Sequence, residues 1–255
     1  MLKRASIEDL LQIKSICEGS IIGTRILCLA SAYGFERSFL EVWIMLDGDT
    51  VTAVMTRFYD DITLTVTEEA DTEQLKAFLG MLGYKTVSCS KTSCDALGLN
   101  ANTVKNGYEY TGNFSDFTCD FLEEEDYEDA YKLISKEIPD SFSSDREAYL
   151  SFLSDFTFRK RRGLARGICT HVDGKLSSVA LTSSETDNSA IISGVACDNR
   201  LQKRGLGKKT VLSLVGSLKN ENKNVYVIAL NENAEGFYEH IGFTKKEKIA
   251  FVERK

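Results

Sequence analysis

The sequence predicts an α/β fold, because short apolar strand-like runs alternate with amphipathic helical patterns along the chain. The alternation is clearest in the last quarter, where the strand-like runs 190–197 and 225–230 are each followed by a helical pattern. Hairpin signals at Asp47-Gly48 and Asp173-Gly174 add antiparallel strands upstream. With 255 residues, 43% of them hydrophobic, the chain is large enough for two modest domains.

A turn containing two glycines, Gly205 and Gly207, joins the first of these strands to its helix. The helix is amphipathic, with an apolar face made by Val211, Leu214, Val215 and Leu218. The N–H groups at the start of this helix are not shielded by side chains, and four cations flank them. Such a helix N-terminus indicates a site for a phosphorylated ligand. The four cations are Lys203, Arg204, Lys208 and Lys209. The turn matches neither the Walker pattern nor the dinucleotide fingerprint, and an ordinary loop before a surface helix is the alternative.

The run Val225–Leu230 predicts a buried strand, since it is short, β-branched and aromatic. A second helix follows, for which Asn231 is a suitable N-cap and Gly242 a suitable C-terminal stop. This helix carries Tyr238 next to Phe237, followed by Gly242-Phe243. Strand, glycine turn, helix, strand and helix therefore follow one another between residues 190 and 243.

These two segments resemble motifs of the GNAT superfamily of N-acetyltransferases. Residues 195–207 resemble Val-x-Val-Asp-Pro-x-x-(Gln/Arg)-x-x-Gly-x-(Gly/Ala), with Asn199 where proline is usual. Residues 231–243 resemble Asn-x-x-Ala-x-x-Phe-Tyr-Glu-x-x-Gly-Phe. The resemblance covers roughly residues 120–255. It implies a mixed, largely antiparallel sheet flanked by helices. It also implies acetyl transfer from acetyl-CoA to a primary amine by direct attack.

The resemblance also implies roles for individual residues. The backbone of Val195, Ala196 and Cys197 would pair with pantetheine, and the Cys197 N–H would stabilise the oxyanion. Tyr238 would lie near the sulfur and protonate the leaving thiolate, although a core aromatic is the alternative for this residue. Asn231 would bond the pantetheine arm. The pyrophosphate would be held by Gln202, Lys203, Arg204, Gly205, Leu206, Gly207 and Lys208.

The general base is left open by the sequence. Histone-type members of the superfamily carry a glutamate at the position of Ile191, which cannot accept a proton. Four carboxylates in predicted loops are candidates, and each is alternatively a solvated surface group. They are Glu137, Asp140, Glu185 and Asp187.

The acceptor is predicted only as a small-molecule or peptide amine. Its selectors, by the resemblance, would lie in Ile138–Asp145 and Thr244–Phe251. A non-catalytic acyl-CoA-binding or regulatory module is the rival reading, and a longer acyl-CoA or an aminoacyl donor is another.

Charge and composition indicate which classes of binding partner this protein has. The net charge is −7, with 10 basic and 16 acidic residues in 1–117 against 21 and 22 in 118–255. The basic surplus is thus local to the glycine turn, and no nucleic-acid partner is predicted. The run Arg159–Arg162 is predicted to be a solvated segment. Seven scattered cysteines, no signal peptide and no membrane-length apolar run predict a cytoplasmic protein without a membrane partner. His171 and His240 have no ligand-spaced partners, so no metal site is predicted.

The first half resembles a reduced repeat of the second. Ile7–Lys14 parallels Glu125–Lys132, the two Asp-Gly hairpins correspond, and Phe78–Tyr84 parallels Phe237–Phe243. Because the interval from Asp47 to Phe78 is 31 residues, against 64 from Asp173 to Phe237, the first half is predicted to lack the phosphate loop, its helix and a strand.

Leu79 would then replace Tyr238, and Thr72 would replace Asn231. The predicted domains are therefore a degenerate GNAT-like domain, 1–117, and a catalytic domain, 118–255. The boundary lies in Thr111–Asp116, and Phe117–Leu122 is the first strand after it. An unrelated small α+β domain is the alternative for the first half.

Overall fold

The computed structural model describes residues 1–114 and 119–254. It confirms the predicted α/β class: a mixed, largely antiparallel sheet is flanked by helices. Residues 115–118, which include the end of the predicted domain boundary and the start of the predicted strand Phe117–Leu122, lie outside the described residues. The structure has β7 only at Asp120–Phe121.

The first half begins with a short strand and two helices, followed by an antiparallel meander. A single turn of 3₁₀ helix precedes α1 at Ile7–Asp9. The elements are β1 Leu2–Arg4, α1 Leu10–Cys17, α2 Ile21–Tyr33, β2 Leu40–Asp47, β3 Thr50–Phe58, β4 Asp61–Val66, α3 Thr72–Met81, β5 Thr86–Ser90, α4 Lys91–Ala96 and β6 Thr103–Tyr110.

The second half repeats this order. An acidic 3₁₀ turn, Glu124–Asp126, precedes its first helix. The elements are β7 Asp120–Phe121, α5 Tyr127–Glu137, α6 Arg146–Lys160, β8 Gly167–Val172, β9 Lys175–Glu185, β10 Ser189–Cys197, α7 Leu206–Lys219, β11 Asn224–Ile228, α8 Glu232–His240 and β12 Phe243–Glu253.

The chain forms two compact units that do not follow a single cut in the sequence. The first unit contains residues 1–108, 228–236 and 245–255, with strand order β1-β2-β3-β4-β5-β12-β6. The second unit contains residues 109–227 and 237–244, with strand order β11-β10-β9-β8-β7. Since the end of β12 pairs antiparallel with β5, from Ile249↔Ser90 to Glu253↔Thr86, the last strand completes the first unit.

The two halves share strand pairing as well as order. In each, three antiparallel pairs are followed by one parallel pair, β4–β5 in the first half and β10–β11 in the second. The predicted loss of a helix and a strand is therefore wrong, because α3 and β5 stand where α7 and β11 stand. Phe78 lies on α3, before the parallel strand, whereas Phe237 lies on α8, after it.

The first half is shorter than the second in the connection between the fourth strand of each half and the helix that follows it. Residues 67–71 join β4 to α3, whereas residues 198–205 join β10 to α7. By helix order, α4 corresponds to α8. Ser90 caps α4 by accepting from the Ser93 N–H, as Asn231 caps α8 by accepting from the Ala234 N–H. Seven residues beyond each cap lie Leu97 and Tyr238, so Leu97, not Leu79, occupies the position of Tyr238.

Both predicted hairpin turns are confirmed. Asp47 pairs with Thr50, so the two central residues of the first turn are Gly48 and Asp49, and Gly48 has φ +56°. In the second turn the central residues are Asp173 and Gly174, with φ +52° and +72°. Positive φ at these positions matches the twist of the flanking strands, which explains the glycine in each turn.

Helices α5 and α7 cover opposite faces of the second unit's sheet. Cys169 on β8 packs with Tyr127, Ile134 and other α5 residues in one apolar core. The next residue, Thr170, faces the other way and its hydroxyl lies 3.0 Å from that of Thr210 on α7. Alternation along β8 thus places one helix on each face.

The predicted solvated run Arg159–Arg162 is instead partly the end of α6. Arg159 is buried, bonded to Asp155 one turn earlier and to the Ser183 carbonyl. Its guanidinium group therefore forms its contacts within the second unit and is not solvated. Among the described residues, no helix has both the length and the apolar character to cross a membrane.

Candidate active site

Strand β10 extends beyond its parallel neighbour. Its ladder with β11 runs from Ser189↔Asn224 to Ile192↔Val227, whereas β10 itself continues to Cys197. Gly194 has φ +54°, and the pairing with β9 shifts register between Ser193 and Ala196. A bulge of this kind bends a strand, and it begins where the ladder with β11 ends.

Backbone directions beyond the bulge follow from the pairing with β9. The Ala196 carbonyl accepts from the Ser178 hydroxyl, and the Asp198 N–H donates to the Ser177 carbonyl. Because these directions alternate along a strand, the Cys197 N–H points away from β9, toward the side where the parallel ladder has ended. Strand residues 195–197 can therefore offer backbone groups to a ligand.

The Cys197 thiol is half-buried, and burial is the main cause that raises its pKa. A hydrogen bond from the Gly207 N–H and one from Ser178 oppose the rise, and the charges of Asp198 and Glu137 add to it. A thiol with a raised pKa is a poor nucleophile, so the backbone of Cys197, rather than its side chain, is the candidate functional group.

The loop after β10 is braced by its own side chains. The Asp198 carboxylate accepts from the Arg200 N–H at 3.0 Å and pairs with the Arg200 guanidinium at 2.6 Å. These bonds hold the pKa of Asp198 well below its usual range, and they neutralise its charge beside the loop. Gln202 reaches back to the Cys197 carbonyl at 3.4 Å.

The N-terminus of α7 is open and positive. Gly205 precedes the helix with φ +80°, no side chain caps the helix, and no acidic residue lies in its first turn. Lys203 has φ +63°, a conformation that a non-glycine residue adopts rarely. The loop and the cations around it are exposed. Unpaired N–H groups at such a terminus bind anions.

The corresponding helix of the first half has the opposite character. The Asp71 carboxylate caps α3 by accepting from the Gln74 N–H at 3.0 Å. Glu68 and Glu69 lie in the short connection before it, and Glu73 is in its first turn. A helix terminus already occupied by carboxylates repels a phosphate.

Helix α8 begins and ends as predicted. Asn231 accepts from the Ala234 N–H at 3.0 Å, and Gly242, with φ +106°, follows the last turn. Since the Asn231 Oδ1 is used by the cap, its amide N–H₂ is the side-chain group left to donate to a ligand.

Tyr238 is buried on α8. Its ring lies 5.5 Å from that of Phe243 and 5.3 Å from that of Phe237. Burial raises the pKa of its phenol, so the hydroxyl keeps its proton throughout the physiological range.

The four candidate bases differ in their burial and in their charged partners. Asp140 and Asp187 are exposed. Glu185, in contrast, is fully buried and pairs with Arg166 and Lys223, so the alternative that placed it on the surface is wrong. Both of its oxygens are committed to cations. Ile191, at the superfamily's glutamate position, is buried in the ladder between β9 and β11.

Glu137 ends α5 and is mostly buried. Its Oε1 atom is shielded from solvent and, among the described residues, receives no hydrogen bond. The same oxygen forms an ion pair with Lys136 Nζ at 3.0 Å. Its charge is the smallest of the causes that act on the pKa of the Cys197 thiol.

Another cluster gives His171 two ligand-type neighbours that its sequence spacing did not predict. Its Nε2 atom lies 2.9 Å from Asp126 Oδ1, and Cys169 Sγ lies 3.7 Å from Asp126 Oδ2. The i, i+2 spacing of Cys169 and His171 on a predicted strand was the one signal in the sequence. The carboxylate comes from 43 residues upstream and only the fold brings it close.

Comparisons with known proteins identify structures of the same fold. Residues 166–252 match the family model described as FR47-like protein, while no curated protein sequence matches the chain. Among solved structures, a GNAT-family acetyltransferase from Colwellia psychrerythraea has a TM-score of 0.63 at 14% identity, with all of both chains covered.

Two further structures have the same fold. A tandem GNAT protein from the clavulanic acid biosynthesis pathway has a TM-score of 0.64 at 12% identity, covering 98% of this chain and 97% of that one. A GCN5-related N-acetyltransferase from Sphaerobacter thermophilus has a TM-score of 0.64 at 14% identity, covering 98% and 94%. At such identities the likeness shows the fold.

Proposed function

We propose that this chain, which has the fold of GNAT acetyltransferases, transfers an acetyl group from acetyl-CoA to a primary amine. The observation that carries the proposal is the end of β10. Strand β10 extends beyond its ladder with β11, and the loop after it leads into the N-terminus of α7, which no side chain caps and which cations flank. This pairing of features suits a ligand with both an amide-containing arm and phosphates.

In the proposed complex the cofactor follows the chain from strand to helix. The backbone of 195–197 pairs with the pantetheine arm, and the N–H groups of the loop and of the first turn of α7 bind the pyrophosphate. The residues of this cradle are Gln202, Lys203, Arg204, Gly205, Leu206, Gly207 and Lys208, and Asn231 donates its amide to the arm.

The reaction is direct attack. A neutral amine forms a bond to the thioester carbonyl carbon, and the carbonyl oxygen becomes an oxyanion that accepts from the Cys197 N–H. The carbon–sulfur bond then breaks, and Tyr238 gives its proton to the departing thiolate. The raised pKa of this phenol supports its role as an acid, because the proton is present when the thiolate forms.

Glu137 is the proposed base. The shielded oxygen of Glu137 is paired with one cation, Lys136, whose side chain is more than half exposed and can move aside. An incoming ammonium group would compete with Lys136 for this oxygen, and transfer of its proton to Glu137 would leave the amine ready to attack. Glu185 cannot serve in the same way, since two largely buried cations, Arg166 and Lys223, hold its carboxylate.

A cavity of about 350 Å³ beside α5 supports a small acceptor. It lies between α5 and the start of α6, next to the segment predicted to select the acceptor. Aromatic and charged groups of both signs line it, including Tyr131, Tyr149, Lys136 and Asp145. We place the acceptor's body against this wall, with its amine toward Glu137.

The first half is proposed to be a degenerate acetyltransferase-like domain within a tandem protein. Its shortened connection 67–71 and the carboxylate cap of α3 support the loss of its pyrophosphate site. One chain would therefore bind one molecule of acetyl-CoA. Whether the boundary is at 117–118 stays a prediction.

The test is thiol release from acetyl-CoA across a panel of amines, with product masses measured. Acetylated amine and stoichiometric CoA are the expected products. Calorimetry with CoA alone distinguishes the proposed enzyme from a non-catalytic acyl-CoA-binding module. Binding of one CoA per chain with no turnover on any amine would favour a non-catalytic acyl-CoA module. No binding would remove the proposal altogether.

A further inference from the structure

The Asp126–Cys169–His171 cluster lies in the second unit, outside the proposed active site. Cys169 and His171 are on β8, and two residues apart on a strand they project from the same face. Cys169 is in register with Val179 of β9, which is in register with Ala196 of β10. The cluster is thus two strands away from the proposed cofactor strand, roughly 10 Å by ordinary strand spacing.

The carboxylate is held over this face by the start of α5. Asp126 ends the 3₁₀ turn that precedes α5, and the following Tyr127 packs its ring edge-on against Phe156 at 5.4 Å. Lys160 reaches back to the Leu122 carbonyl at 2.6 Å and to the face of the Tyr127 ring. The segment is therefore braced on both sides of Asp126 before any ligand binds.

The spacing of the three side chains suits a small tetrahedral cation. Their ligand atoms all lie within 4.8 Å of one another, with the closest pairs at 2.9 and 3.7 Å. Ligands about 2.0–2.3 Å from a Zn²⁺ ion stand roughly 3.3–3.8 Å apart in a tetrahedron, so small side-chain shifts would complete the site.

The donor set selects the kind of metal. One thiol, one imidazole and one carboxylate form a borderline-soft set, which favours zinc and its neighbours over magnesium or calcium. The thiol is fully buried, whereas the imidazole is about a third exposed. An ion can therefore enter from the side of His171 and keep a water as its fourth ligand.

We propose that Asp126, Cys169 and His171 bind a divalent transition-metal ion, with Zn²⁺ as the best match. The ion joins strand β8 to the start of α5. On binding, the Cys169 thiol gives its proton to solvent, and coordinate bonds from all three side chains replace the contacts that the Asp126 carboxylate makes to the imidazole and the thiol. The site is independent of the proposed acetyl transfer, because none of its ligands belongs to the cofactor strand, the loop or α8.

The experiment uses the full chain, stripped with EDTA and dialysed, and titrated with ZnCl₂ by calorimetry. Native mass spectrometry gives the stoichiometry. CoCl₂ is a second probe, since a thiolate–Co²⁺ charge-transfer band in the near ultraviolet reports whether Cys169 is a ligand. The variants are H171N and C169S, and the matched control is H240N, which changes the other, exposed histidine.

We expect one Zn²⁺ per chain, a thiolate–Co²⁺ band, and a rise in Tm on adding zinc. H171N and C169S should weaken Zn²⁺ binding at least about 10-fold and C169S should lose the band, while H240N should bind as the unchanged chain does. If C169S fails to fold, H171N decides, since its side chain is partly exposed. Sub-stoichiometric binding, equal affinity in H171N, or the same Tm rise with MgCl₂ would each overturn the proposal.

Discussion

At the scale of single residues, the environment of each polar group decides what it can do. Tyr238 is buried among aromatic rings and keeps its proton. The shielded oxygen of Glu137 is paired with one exposed cation, Lys136, whereas Glu185 is fully buried and bound by two largely buried cations, Arg166 and Lys223. The two glutamates therefore have different environments, and only Glu137 is proposed to contact the acceptor.

Tyr238→Phe is expected to lower kcat by about 10-fold to 10⁴-fold, because one general acid contributes on that scale. The loss should affect kcat more than the Kd for CoA. Since burial raises the pKa of the phenol, its ionisation should cause no fall in activity at moderately alkaline pH. Stopped-flow thiol release measures the chemical step, and Y59F, at an exposed tyrosine, is the control. An unchanged chemical step in Y238F would remove the residue from this role.

Glu137→Gln is expected to lower kcat/KM by about 10²-fold to 10⁴-fold at neutral pH, since the amine then needs to lose its proton to solvent. The deficit should shrink as pH rises toward the amine's own pKa, where the neutral acceptor is abundant. D140N, an exposed carboxylate in the neighbouring segment, is the matched control. A deficit that is constant with pH would indicate a structural role for Glu137.

At the scale of elements, two helices in equivalent positions have opposite N-termini. Helix α7 starts from a left-handed glycine among cations, and α3 starts from a carboxylate cap. A network of Arg166, Glu185, Glu221 and Lys223, with Ser217, ties the end of α7 to β9. The open end of α7 is therefore positioned by contacts at its other end.

Gly205→Ala should weaken CoA binding and destabilise the fold by about 1–2 kcal/mol, because φ +80° strains a residue with a Cβ. No atom lies within 4 Å of that Cβ, so strain rather than collision is the cause. Calorimetry with CoA and thermal unfolding measure the two effects. The control is G80A on α3, where the backbone is ordinary and the space is also open. Equal Kd values for G205A and the unchanged chain would contradict the loop's proposed role.

Acid should weaken the network at the end of α7. Hydrogen bonds from Arg166 lower the pKa of Glu221 to about 2, so its stabilisation is present above the usual range of a free glutamate and is lost as pH falls toward 2. Because the side chain is nearly half exposed, solvent screening limits the effect to at most about 1 kcal/mol. The Tm of E221Q should fall less than that of the unchanged chain between pH 6 and 2. Parallel Tm curves would contradict this.

At the scale of the whole molecule, the last strand returns to the first unit. Ala250 and Val252 on β12 are buried in the same core as Leu64, Val87 and Cys89. The same strand is hydrogen-bonded to β5 along five residue pairs. The domain division predicted from the sequence, 1–117 and 118–255, assigned this strand to the second domain.

The fragment 118–255 is therefore expected to be insoluble or only partly folded. Without β5, the end of β12 loses its antiparallel partner, and its apolar side chains lose the core that covers them. Size-exclusion chromatography and circular dichroism check this against the full chain. A monomeric, cooperatively folding fragment would show that β12 does not need the first unit.

The sequence by itself determined the segment from β10 to α8. Its strands, its glycine turn and its caps depend on residues close to one another in the chain: apolar periodicity, positive φ at Gly205, and an asparagine three residues before the N–H that it caps. The interval-based repeat alignment failed because the aromatic and glycine spacing of α8 also occurs on α3. Spacing along one helix cannot show which helix of a repeat it is.

Only the tertiary structure decided which distant groups meet. It buried Glu185 between two cations, brought Asp126 to Cys169 and His171, and paired β12 with β5. The physical reason is common to all three. Burial and charge pairing depend on contacts made across the fold, and the residue types that make them are also ordinary surface residues in a sequence.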